Sequence, residues 1–145
     1  MSEIITDVAG SGRFEVPTVV PQRTFWEKSF LLHEEHVRNR PIKARLARHF
    51  YDLWSLTKAG VGAEALADAG LFRRVAAHRS IYFRVGGVDY KGLVPDALRL
   101  MPPGERMEEW KDDYDRTRES MVYGGAPEFE VVLRSLGGLF AGSKG

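Results

Sequence analysis

The stretch Arg23-Thr24-Phe25-Trp26-Glu27-Lys28, continued by Leu31-Leu32-His33-Glu34-Glu35-His36 and then by Arg45-Leu46-Ala47-Arg48-His49-Phe50-Tyr51-Asp52-Leu53, decides how the chain is read. Phe25, Trp26, Phe30, Leu31 and Leu32 recur at helical spacing. So do Leu46, Phe50, Leu53 and Thr57, with Ala47, Tyr51 and Trp54 beside them. The pattern predicts two amphipathic helices. The first runs from Phe25 to about Arg38, with Thr24 as N-cap, Glu27 completing a capping box and Pro41 ending it. The second runs from Ile42 or Lys43 to Lys58 and stops at Gly60 and Gly62. Lys28 then falls on the edge of the first buried stripe, and Asp52 sits among the aromatics of the second helix. An unpaired charge at either place would be expensive to bury, so both charges need an explanation.

Outward from these helices, Ala63 to Ala69 reads as a short helix closed by Gly70, and Leu71 to about Phe83 as another, although Ser80 to Val85 also satisfies a strand pattern. Glycines and prolines break every apolar run from Gly86 to Gly104, which predicts a loop with a single turn around Pro95 to Leu100. A helix from about Gly104 to Ser120 or Met121 carries a narrow stripe of Met107, Trp110, Tyr114 and Met121, a pattern expected on the outside of the core. The last helix starts near Pro127 and buries Phe129, Val132, Leu133, Leu136 and Phe140. Before all of these, Phe14 to Pro21 is at best a short edge strand, because each proline removes a ladder donor. The expected organisation is a flexible segment over 1–22, a helical domain over 23–141 and a disordered tail over 142–145, hence a mainly α fold.

Composition narrows the function classes. The 145 residues are 43% hydrophobic and 28% charged, as in an ordinary soluble domain, and a net charge of +1 creates no overall field for nucleic acid or membrane. With no cysteine, disulfides and thiolate metal sites are excluded. The first twelve residues lack the blocks of a signal peptide, and no apolar run approaches a membrane span, so a cytoplasmic protein is expected.

Several groups could carry chemistry. Lys28 can neutralise a phosphate as a compact charge, or simply cover Trp26 and Leu32 with its stem. Arg45, His49 and Asp52 fall on one helical face at spacings of four and three, and Arg48 lies four before Asp52. Asp52 could orient a nucleotide hydroxyl, a base or the lysine, or these residues could be ordinary surface ion pairs. His33-Glu34-Glu35-His36 misses the spacing of the zinc helix, although His33, His36, His49 and Asp52 could meet between adjacent helices. Gly10-Ser11-Gly12 and Val85-Gly86-Gly87 lack the flanking strand and lysine of a phosphate loop. Arg73, Arg74, His78, Arg79, Arg84 and Lys91 form the densest basic segment, either a track for an RNA backbone or a solvated face.

Pro21 to Lys28, Leu32-His33-Glu34-Glu35 and Arg45 to Leu53 resemble the AbiEii/AbiGii family of nucleotidyltransferase toxins. Looser agreement continues through Ala97-Leu98-Arg99-Leu100 with Pro102-Pro103, Asp113-Tyr114 followed by Met121, and Pro127-Glu128-Phe129. The resemblance covers nearly all of the chain after the first fifteen residues. It implies a helical C-terminal domain of an α+β nucleotidyltransferase, with Lys28 and Asp52 as catalytic residues; beside them Arg45, Arg48 and His49 are expected to bind substrate. Many members have a second aspartate where this chain has His49. The family's Gly-Ser turn and Asp-x-Asp pair, which bind divalent metal and triphosphate, have no counterpart before Arg23, so the chain is expected to be a truncated product or one half of a split protein, nearly inert alone.

The resemblance further implies NTP and Mg2+ as cofactors of the intact enzyme, a nucleic acid such as tRNA or a protein hydroxyl as acceptor, a role in phage defence, and an antitoxin or the missing half as partner. The alternatives are a non-catalytic helical module that docks on a partner protein, and an RNA-binding helical domain using Arg73 to Lys91.

Overall fold

The computed structural model describes residues 20–120 and 125–142. Among these residues six α-helices follow one another: α1 (Pro21–Arg38), α2 (Arg48–Lys58), α3 (Val61–Leu66), α4 (Ala69–Tyr82), α5 (Met107–Ser120) and α6 (Phe129–Gly142). Two 3-10 turns, Pro95–Ala97 and Gly104–Arg106, interrupt the long connection between α4 and α5. The fold is mainly α, and no strand occurs among the described residues. None of the described helices is long and apolar enough to cross a membrane. The edge strand expected over Phe14 to Pro21 lies mostly outside the described residues; its end, Val20 and Pro21, forms the N-cap and first turn of α1.

Helix α1 is the central post, packed against α2, α3 and α4. Its Phe25, Trp26, Phe30 and Leu32 are fully buried and meet Phe50 and Leu53 of α2, Phe72 and Val75 of α4, and Val132 and Leu136 of α6 in one continuous core. Trp26 stands edge-on to both Phe25 and Phe72, with ring centroids 5.2 and 4.8 Å away, and its indole N–H donates to the Ala65 carbonyl at 3.3 Å. Helix α3 approaches so closely that a Cβ on Gly62 would come within 2.7 Å of Leu139 Cδ2.

The start of α1 differs from the capping-box expectation. Pro21 occupies the first turn, where its fixed φ suits the helix and its missing N–H costs no bond, so the helix begins before Thr24. Glu27 is thereby freed from capping and reaches Arg79 at 2.7 Å and Arg23 at 3.4 Å. The helix ends before Pro41, at Asn39, whose left-handed φ of 48° and N–H bond to the Glu35 carbonyl close the last turn.

Helix α2 starts later than its hydrophobic period predicts. The carboxylate of Asp113, on α5, accepts the backbone N–H groups of Arg45 and Ala47, each at 2.8 Å. Arg45 adopts a left-handed φ of 74°, so residues 44–47 turn before the helix begins at Arg48. A carboxylate from elsewhere in the fold thus overrides a local helical preference. Gly70, expected to close the alanine-rich helix, instead lies in the first turn of α4. That helix is capped by the Asp68 side chain, which accepts the Leu71 N–H at 3.1 Å.

Helix α5 does not lie outside the core as its narrow stripe suggests. Trp110 and Tyr114 are fully buried, because Phe50 of α2 and Phe129 of α6 close over them. The Tyr114 hydroxyl donates to the Pro127 carbonyl at 2.7 Å, and burial pushes its pKa up to about 12.

Candidate active site

Lys28 projects from α1 toward α2 because it follows Phe25 by three residues and so stands at the rim of the buried stripe. Asp52 occupies the matching rim of α2, one residue before the buried Leu53. Their charges converge, with Lys28 Nζ 3.2 Å from Asp52 Oδ2 and each side chain about a quarter exposed, at 25% and 24%. The other carboxylate oxygen faces Arg48 Nε at 3.8 Å. A partly exposed pair of this kind adds little to stability, so packing alone gives no strong reason for both charges to stand there.

His49 borders the same pair. Burial, and then the Lys28 ammonium, lowers its pKa below the ordinary imidazole value, while Asp52 pulls the other way. The ring is therefore neutral at pH 7 and retains an acceptor nitrogen. Its Nδ1 is buried without a hydrogen-bond partner. A neutral imidazole beside an ammonium and a carboxylate is a group able to receive or orient a hydroxyl hydrogen.

Arg45 is not on this helical face. Its left-handed turn places it on the exposed side of a cavity of about 280 Å³, lined also by Arg48, Asp113, Arg116 and Thr117. The spacing of four to His49 had no helix to act through, since α2 starts three residues later. Arg48 joins the two places, because it lines this cavity and approaches Asp52. Arg116 was not singled out by the sequence, as nothing local connects α5 to the start of α2. Its guanidinium stands 3.9 Å from Asp113 Oδ1.

The histidine pair of α1 serves the fold, not a metal. His33 Nδ1 accepts the Arg99 N–H at 2.8 Å, and His36 Nε2 bonds the Leu100 carbonyl at 3.1 Å, so both rings clamp the loop before α5 onto α1. Burial lowers both pKa values, that of His36 to about 4. Glu34, between them, is buried and accepts two bonds from Arg79, at 2.8 and 2.7 Å, and one from the Tyr90 hydroxyl at 2.9 Å. No cluster of three or more His, Cys, Asp or Glu side chains suited to a metal occurs among the described residues, which overturns the grouping of His33, His36, His49 and Asp52.

A divalent cation does not fit beside Asp52 either, because this single carboxylate is already flanked by two cationic side chains. Asp113-Tyr114-Asp115 has the spacing of a carboxylate pair, yet on a helix two residues apart point to different sides. Asp113 is buried on backbone N–H groups, and Asp115 pairs with Lys111 at 3.0 Å. Arg79, counted in the basic segment, is likewise spent internally on Glu34 and Glu27.

The ion pair between α1 and α2, set with a neutral histidine and Arg48 at its side, is an arrangement able to hold an anionic group against a proton acceptor. No curated protein and no solved structure gives a significant match to the sequence. The sequence model of the nucleotidyl transferase AbiEii toxins of type IV toxin-antitoxin systems matches residues 1–135, a span that takes in Lys28, His49, Asp52 and the helices that carry them. The chain therefore belongs to the AbiEii nucleotidyl transferase toxin family.

Proposed function

We propose that this chain forms the Lys28–Asp52 side of a nucleotidyl-transfer site, moving a nucleotidyl group from an NTP to a hydroxyl of a nucleic acid such as tRNA or of a protein. The observation that carries the reading is the 3.2 Å approach of the Lys28 ammonium to the Asp52 carboxylate at a rim open to solvent. An ammonium has three donors, so Lys28 can keep Asp52 while turning another N–H to a triphosphate oxygen. Asp52, held by Lys28 and Arg48, positions the acceptor, and neutral His49 receives or orients its hydroxyl hydrogen. Arg48 and Arg45 bind phosphate oxygens along the adjoining cavity.

Magnesium would neutralise the triphosphate and hold the reacting oxygens in line when bound. The lone Asp52 carboxylate, flanked by Lys28 and Arg48, does not suit it, and we assign that duty to a further protein segment, covalent or separate, so that residues 20–142 have little activity unaided. An antitoxin, as expected for a type IV system, would restrain the assembled enzyme in the cytoplasm, and phage defence is the setting in which such restraint would be released.

The test combines the chain with the polypeptide encoded immediately upstream, magnesium, labelled NTPs and a tRNA pool. Transfer should fall at least about a hundredfold for Lys28→Ala and for Asp52→Ala, with the unfolding free energy changed by less than about 1 kcal/mol. Full activity in both variants would overturn the assignment.

A further inference from the structure

A second feature lies away from the ion pair, on α4 and the loop that follows it. Phe72, Ala76 and Ala77 of α4, together with Tyr90 and Leu93, line a cavity of about 250 Å³. Arg73 and Lys91 stand at its walls and Ser80 at its end. This volume is below that of usual small-molecule sites and suits one or two apolar side chains. Its two hydroxyls are already committed. The Ser80 hydroxyl donates to the Ala77 carbonyl at 2.7 Å, and the Tyr90 hydroxyl donates to Glu34.

Beyond the cavity, the end of α4 and its C-cap expose apolar side chains. Residues 73, 77 and 81 follow one another at helical spacing, and Ile81, Tyr82 and Phe83 are 67, 69 and 52% exposed. The cations around this strip are uncompensated: Arg73, Arg74 and Lys91 are exposed and make no ion pair within the described residues. The one nearby acid in the loop, Asp89, packs over Gly92.

We propose that this face docks a protein segment that inserts a leucine or phenylalanine side chain into the cavity and sets flanking carboxylates against Arg73, Arg74 and Lys91. Charge complementarity selects an acidic partner, and the carbon-lined cavity selects a side chain. An RNA strand is disfavoured because the Ser80 and Tyr90 hydroxyls at the cavity are already hydrogen-bonded, and because Arg79, central to the basic segment, is locked on Glu34. Apolar anchors ringed by charge pairs are the usual energetic centres of protein interfaces.

Fluorescence anisotropy of the full chain tests this with a labelled acidic peptide bearing phenylalanine and leucine among glutamates, a second peptide with both replaced by serine, and oligouridylate. The first peptide should bind, and the serine peptide should bind at least about tenfold more weakly. Paired Arg73→Glu and Lys91→Glu substitutions should weaken the first peptide by a similar factor, and so should Ala77→Trp, which plugs the cavity without altering charge. Ala77 is exposed, so an unchanged thermal midpoint certifies the fold of that variant. The proposal is overturned if the two peptides bind alike, if Ala77→Trp binds as well as wild type, or if oligouridylate alone binds and loses its salt-dependent affinity in the charge-reversed variant.

Discussion

Lowering the pH should unfold this protein through His36 well before most carboxylates titrate. The ring is 2% exposed, stands edge-on to Trp110 at 4.9 Å between centroids, and leaves Nδ1 buried without a partner. Burial lowers its pKa from 6.5 to about 4, against the weaker upward pull of the Leu100 carbonyl. Protonation therefore favours the unfolded chain. The stabilisation from keeping the ring neutral is complete above pH 6.5 and is lost as pH falls through the folded value near 4. Integrated over that window, the loss is roughly 2 kcal/mol at pH 5 and about 3 kcal/mol below pH 4.

His33 and His49 are lowered in the same sense, so wild type alone does not isolate His36. Guanidinium unfolding followed by tryptophan fluorescence, run from pH 7.5 to 4.5 on wild type and His36→Phe, does isolate it. The variant should be less stable at neutral pH by about 1–3 kcal/mol, since the Leu100 carbonyl loses its donor. It should also lose roughly 2 kcal/mol less than wild type on acidification to pH 5. Parallel curves for the two proteins across that range would show that the buried ring does not govern acid stability.

Two further outcomes follow from the polar core. Arg79→Met should destabilise the fold by about 3–5 kcal/mol, because Glu34 is left as a buried charge, while the double variant Arg79→Met, Glu34→Leu should recover much of that loss. Equal stability of the single and double variants in chemical denaturation would count against an uncompensated Glu34 as the cause. Asp113→Ala should cost about 2–3 kcal/mol by leaving the N–H groups of Arg45 and Ala47 unpaired, and hydrogen exchange should quicken at these two amides first; unchanged exchange there would remove Asp113 as the device that delays α2.

The helices were legible wherever burial itself writes the period. Phe25, Trp26 and Phe30 in α1, Phe50 and Leu53 in α2, and Phe129, Val132 and Leu136 in α6 announce their faces in the chain. Over Ser80 to Val85 the helical and strand patterns competed, and α4, anchored by its buried Leu71, Phe72, Val75 and Ala76, carries the helix on to Tyr82. What local pattern could not reveal was set by distant residues. Asp113 unwinds the start of α2 from a position 68 residues away in sequence from Arg45. The depth of α5 depends on Phe129 arriving from α6.

The same division explains which candidate groups came together. Lys28 and Asp52 sit on the rims of two helices whose apolar faces were readable, so their convergence follows from packing those faces. Arg45 failed to join because its place depended on a carboxylate that spacing does not reveal. The His33-Glu34-Glu35-His36 run looked like chemistry because it crowds titratable groups, yet His33 and His36 are aimed at the loop between α4 and α5, and Glu34 at Arg79 of α4 and Tyr90 of that loop. That burial holds α1 rigid along its inner side. Lys28, on the outer rim of the same helix, is thereby fixed in position against Asp52 and free to act, without the ion pair having to supply the stability that its own exposure would deny it.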